Sequence, residues 1–122
     1  MKKIALLLLI LFISGCTGYA TKEGPYKVTK VVDGDTLDIG LQRIRLSGIN
    51  TPESGECYYL EAKDRLTEMT LGKEVYLEKD RTDIDKYGRL LRYIYLNKTL
   101  VNTVLVKEGY ARVFDKYKND TK

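Results

Sequence analysis

Hydrophobic and polar positions fall into three kinds of pattern along this chain. The first is an unbroken apolar run of ten, Ile4 to Ile13, behind the short basic start Met1-Lys2-Lys3. Ten apolar residues are too few for a finished membrane-spanning helix, which needs about 20. The second is alternation. Tyr26 to Val32 is rich in β-formers, Asp33-Gly34-Asp35 breaks it as a turn, and Thr36 to Ile39 and Arg43 to Ser47 flank Gly40-Leu41-Gln42 as a hairpin. Ile44 and Leu46 share one face of their strand, the core face, and Arg45 shares the outward face with Arg43 and Ser47. Glu74 to Lys79 alternates again, with Val75 and Leu77 on one side, and Leu90 to Leu96 forms a further strand closed by Asn97-Lys98.

The third pattern is helical. Tyr59, Ala62, Leu66 and Met69 recur at spacings of three and four, and Gly72 supplies a stop. Val101, Val104 and Leu105 make a shorter stripe ended by Gly109. Between these elements lie a polar loop from Gly48 to Glu56, a charged loop from Asp80 to Lys86, a last strand candidate at Tyr110 to Phe114 and a polar tail from Asp115. Three strands, a helix and two more strands is the order of an OB-type barrel. A chain of 122 residues suits one such domain.

The apolar run changes the boundaries of that domain. Its close, Ile13-Ser14-Gly15-Cys16, fits a lipobox, so residues 1–15 read as a lipoprotein-type signal peptide and Cys16 as the lipidated first residue. Residues 16–24 then form a tether, 25–118 the folded domain and 119–122 a tail. The chain is expected to be exported and anchored to the cell membrane through Cys16. An ordinary cleaved signal, giving a soluble secreted protein, is the alternative. Cys57 is left without an obvious partner and reads as a half-buried, unreactive thiol. A Cys16–Cys57 disulfide requires that Cys16 carry no lipid.

Charge and composition narrow the chemistry. Lys2 and Lys3 leave with the signal, so the balance falls from +4 to a mature +2, too small for general coating of polyanions. Histidine is absent, which excludes Ser-His and Cys-His catalysis and His-ligated zinc, and two cysteines exclude a zinc site of four thiolates. Acid–base work falls to Asp, Glu, Lys, Tyr or a metal-bound water.

Four pieces are suited to phosphodiester hydrolysis: Asp33-Gly34-Asp35-Thr36, Arg45, Asn50-Thr51-Pro52-Glu53 and Asp85-Lys86-Tyr87-Gly88-Arg89. A hard cation such as calcium takes oxygen ligands. Asp35 offers a charged oxygen, Asn50 a neutral one and Thr51 a backbone carbonyl. Glu53 can deprotonate a water, a step worth roughly 10²- to 10⁴-fold. Arg45 and Arg89 can clamp a phosphate bidentately. Taken singly, each piece also reads as a turn, a surface arginine or a basic rim.

Together, VDGDT at 32–36, IRLSGINTPE at 44–53, EAK at 61–63, DKYGRLL at 85–91 and VNTVLVKEGYARV at 101–113 resemble the thermonuclease family of staphylococcal-nuclease-like OB-fold nucleases. The likeness covers nearly all of residues 26–118. It implies a mainly β fold with helices, an α+β five-stranded OB-fold barrel. It implies calcium-dependent cleavage of DNA and RNA at the 5′ P–O bond, leaving 3′-phosphate ends. By resemblance, Asp35 and Thr51 bind the metal, Glu53 handles water, Arg45 and Arg89 bind phosphate, and Lys86 and Tyr87 contact a substrate phosphate.

Two departures alter these expectations. Asn50 stands where the family usually has an aspartate, so weaker calcium binding is expected. Asp115 stands where an aromatic residue of the best-known members meets a base, and Tyr117 is expected to take that part. The expected function is a monomeric, lipid-anchored nuclease acting on single-stranded or frayed DNA and RNA. The alternative is a non-catalytic OB-fold nucleic-acid-binding module. A calcium-binding or structural envelope lipoprotein is a third, weaker reading.

Overall fold

Alternation of buried and exposed side chains shapes the longer strands, and two helices close the core. The computed structural model describes residues 21–115. The strands are β1 (Glu23–Lys27), β2 (Lys30–Asp33), β3 (Thr36–Ile39), β4 (Gln42–Leu46) and β5 (Ile49–Asn50) before α1 (Tyr59–Thr70). After it come β6 (Glu74–Ile84), β7 (Leu90–Leu96), β8 (Thr99–Leu100), α2 (Val101–Lys107) and β9 (Arg112–Val113).

The main sheet runs β1-β6-β7-β4-β3-β2, with β8 added to β7. Its neighbours are antiparallel except β4 and β7, which are parallel. The two ends of this order, β1 and β2, are separated in sequence only by Val28 and Thr29. At that corner the Val28 N–H donates to the Lys73 carbonyl at 3.0 Å, while the Thr29 N–H donates to Asp38 at 2.9 Å. One bent strand therefore serves both edges, and the sheet curls onto itself as the OB-type barrel requires. Counted that way, the barrel has five strands: β1–β2, β3, β4, β6 and β7.

Its interior is filled by Val28, Leu37, Ile44, Leu46, Val75 and Ile94 from the strands and by Leu66, Val101 and Leu105 from the helices, all fully buried. The α1 stripe buries Ala62, Leu66, Met69 and Thr70. Arg65 on α1 holds Glu108 at the end of α2 through Nε at 2.6 Å and Nη2 at 2.9 Å, tying the two helices together. Asn102 of α2 is buried and bridges distant backbone. Its Oδ1 accepts the Ile94 N–H at 3.0 Å and its Nδ2 donates to the Ser47 carbonyl at 2.8 Å.

Three expectations change. The single strand read at Tyr26 to Val32 is two, because Val28 and Thr29 turn the corner between different partners. The charged stretch read as a loop from Asp80 is strand as far as Ile84. Asp83 there meets the buried Arg92 of β7, with Nη2 to Oδ1 at 2.7 Å and Nη1 to the Asp83 carbonyl at 3.1 Å. The last strand shrinks to Arg112–Val113 and pairs with β5 rather than the main sheet.

Candidate active site

Asp35 lies in the turn that joins β2 to β3. Asp33 shapes this turn, since its Oδ1 accepts the Asp35 N–H at 3.1 Å. Gly34 is required by close approach. A Cβ there would stand 2.7 Å from Thr51 Oγ1 and 2.8 Å from the Ala62 Cβ. The bare glycine lets the loop after β5 press against the turn. The Thr51 N–H then donates to Asp35 Oδ2 at 3.0 Å, and Thr36 Oγ1 donates to Asp35 Oδ1 at 3.1 Å. Thr51 Oγ1 itself is buried without a hydrogen-bond partner. Burial, reinforced by the neighbouring Asp35 charge, pushes the Asp33 carboxyl above its ordinary value.

Arg45 rises from β4, opposite Thr36 of β3 and beside Leu91 of β7. Its side chain is only 13% exposed, so the face read as outward lines a cleft instead of open solvent. Nη1 donates to the Leu46 carbonyl at 2.6 Å. Nη2 lies 3.2 Å from Asp35 Oδ2 and also donates to Asn50 Oδ1. Burial draws the Arg45 pKa below its ordinary value. The Asp35 charge opposes that shift, and the Arg89 charge adds to it. A guanidinium keeps its charge at neutral pH under such shifts. Asn50 is therefore engaged by Arg45, an interaction the sequence did not disclose.

Glu53 is exposed in the loop that follows. Its N–H donates to Glu56 Oε1 at 2.7 Å, and the Glu56 N–H returns to the Glu53 carbonyl at 2.9 Å. These bonds fix the backbone of the turn. Among the described residues no hydrogen bond or ion pair holds the Glu53 carboxylate, which leaves it open to a ligand.

Arg89 is set by a second device, local in sequence. Asp85 Oδ1 accepts the N–H groups of Tyr87 at 2.9 Å and Arg89 at 3.0 Å, while Oδ2 meets Arg89 Nε at 2.7 Å. Burial alone would raise the Asp85 pKa, but the hydrogen bonds from Arg89 and Tyr87 bring it below the ordinary carboxylate value. Tyr87 is exposed, and Lys86 Nζ and Arg89 Cζ stand 5.1 and 5.2 Å from its ring centroid.

Asp35, Arg45, Asn50, Thr51, Glu53, Lys86, Tyr87 and Arg89 all line one open cleft of about 1870 Å³. Tyr117 and Cys16 lie outside the described residues. Asp115 lines the same cleft. Cys57 is exposed on it rather than half-buried, because the loop before α1 faces outward. Asp33, Gly34 and Asp85 stand in motifs that the sequence marks but received no role of their own there, although each orders a residue that did. The signal available for Asp85 was its place four residues before Arg89 in a turn containing glycine. Among the described residues no three Asp, Glu or Cys side chains gather as a metal cluster. The oxygen set is one carboxylate, one amide and one carbonyl. Arg45 Nη2 shows that the Asp35 and Asn50 oxygens already converge on a single positive charge, which suits a hard cation in kind.

The sequence pattern described as "Staphylococcal nuclease homologue" matches residues 43–122. A protein named thermonuclease from Staphylococcus hyicus is 39% identical over 100 residues, spanning 74% of this chain and 59% of that protein. A thermonuclease from Staphylococcus intermedius is 36% identical over 137 residues, spanning 92% of this chain and 82% of its own length. A micrococcal nuclease from Shigella flexneri is 32% identical over 108 residues, spanning 78% of this chain. The chain thus covers 59% and 61% of two of these relatives and 82% of the third.

Proposed function

The chain belongs to the staphylococcal nuclease homologue family, and from that premise we propose that it hydrolyses phosphodiester bonds of DNA and RNA with calcium. The supporting observation is that Asp35, Arg45, Glu53 and Arg89 line one cleft. Asp35, Asn50 and the Thr51 carbonyl would hold the ion, since all three offer oxygen. When bound, calcium supplies positive charge beside the phosphate and a point that orients water.

The chain's own residues do the rest. Arg45 and Arg89 bind the phosphate oxygens and stabilise the charge that builds as phosphorus becomes five-coordinate. The Glu53 carboxylate, without a partner among the described residues, accepts a proton from the attacking water. The new bond joins that water oxygen to phosphorus, and the bond to the 5′ oxygen breaks. The leaving alkoxide takes up a proton from solvent, Glu53 returns its proton to solvent, and the 3′ end keeps the phosphate. Asp33, Gly34 and Asp85 hold these groups in register.

Single-stranded oligonucleotide should be cleaved in calcium and left intact in chelator, with 3′-phosphate ends on the products. Glu53→Gln should lower turnover by at least roughly 10²-fold. A folded wild-type sample that cuts no faster in calcium than Glu53→Gln would refute the reading.

The Arg45–Asn50 contact favours a second reading, an OB-type binding module without the metal, because calcium and Arg45 compete for the same oxygen. No heat of calcium binding, together with salt-sensitive oligonucleotide binding, would select it. We also propose export and anchoring through a lipid on Cys16, with a soluble secreted form as the alternative. Mass spectrometry of the membrane fraction, and release of the protein by Cys16→Ala, would test this. The nuclease is proposed to act as a monomer.

A further inference from the structure

Tyr58 holds a costly conformation. Its φ of 67° and ψ of 8° lie in the left-handed region, which disfavours any residue that carries a Cβ. Among the described residues the one other non-glycine at positive φ is Asn97, in the tight turn between β7 and β8, and asparagine tolerates such backbone. The structural duty of Tyr58 is small. Its carbonyl accepts the Ala62 N–H at 2.9 Å as α1 begins, and asparagine or glycine would do the same at lower cost. Burial does not compensate either, since the Tyr58 side chain is on a residue 66% exposed.

What the conformation does achieve is placement. Tyr58 lines the cleft that holds Arg45 and Glu53, and Tyr87, 71% exposed and flanked by Lys86 and Arg89, lines it too. Exposed aromatic rings beside phosphate-binding cations form the usual surface for a single strand, since every base offers a π-face. We infer that Tyr58 is a base-stacking residue of this cleft, and that its ligand is an unpaired nucleobase next to the phosphate held by the arginines. This rests on the nuclease reading for the phosphate site. It extends that reading by making single-strand preference a property of the cleft wall.

The test is fluorescence anisotropy of labelled oligothymidylate in calcium, in a Glu53→Gln background so that the strand survives. Tyr58→Asn should weaken binding about tenfold, the scale of one stacked base. Tyr58→Trp should bind as well as the parent, and affinity for a blunt duplex should not change. The melting temperature of Tyr58→Asn should hold or rise, because asparagine accepts left-handed backbone, so lost binding cannot be ascribed to unfolding. Unchanged affinity in Tyr58→Asn, or an equal loss on duplex, overturns the inference. Wild-type protein that cleaves nothing while Tyr58→Asn still weakens binding would sink the hydrolytic reading and keep the stacking role.

Discussion

Two devices hold the two arginines, and they differ in how far along the chain they reach. Arg45 is fixed by the turn at Asp35, by its own strand and by Asn50 of β5, and both members of its ion pair with Asp35 are nearly buried. Arg89 is held by Asp85, four residues back, and stands over the ring of Tyr87, which the same turn aims. The first arrangement needs β3, β4 and β5 folded against one another. The second needs little beyond its own five residues. Positioning of the buried floor is thus part of global stability, whereas positioning of the rim is local chemistry.

The sharpest contrast should come from removing each arginine in turn. Arg45→Ala and Arg89→Ala are each expected to lower turnover by about 3–4 kcal/mol of transition-state stabilisation. Only Arg45→Ala should also destabilise the fold, by about 2–3 kcal/mol, because Asp35 is left buried without its cation. Arg89→Ala should cost under about 1 kcal/mol, since Asp85 keeps its backbone donors. Urea unfolding alongside kinetics would show this, and equal stability losses would erase the distinction.

Gly34→Ala strikes the floor without touching an arginine. Its Cβ would collide with Thr51 and Ala62, at an expected cost of about 1–3 kcal/mol and a matching fall in melting temperature. Unchanged stability would mean that the turn and the loop after β5 are not pressed together.

The smallest effect belongs to the rim. The Asp85 carboxyl lies below its ordinary 3.8 in the folded chain, with hydrogen bonds from Arg89 and Tyr87 outweighing burial. A depressed folded pKa gives stability that is present above the unfolded value and lost as pH falls from 3.8 through the folded value. Asp85→Asn should remove that part of the acid-side loss. Melting temperature followed against pH in both proteins would check it, and curves of identical slope below 3.8 would contradict it.

Much of this division was legible in the sequence, and for a physical reason. The α1 stripe at Tyr59, Ala62, Leu66 and Met69 and the alternation at Ile44 and Leu46 are local periodicities, and local patterns show in a linear text. The rim motif at 85–89 is equally local. The corner at Val28 and Thr29 was hidden because its partners, Lys73 and Asp38, come from elsewhere in the chain. The strand through Asp83 looked like a loop because its charges are balanced by the buried Arg92 across β7. Resemblance offered Arg45 as a phosphate ligand but gave no hint of its contact with Asn50, since that contact forms only when β4 and β5 fold together.

On the proposed function, floor and rim grip one phosphate. Calorimetry of a nucleoside 3′,5′-bisphosphate in calcium, with Arg45→Ala, Arg89→Ala and the double variant, measures it most directly. The two losses should fail to add, with a coupling of at least about 0.5 kcal/mol, as for residues sharing one partner. Strictly additive losses would place the two arginines on separate ligands and contradict the account.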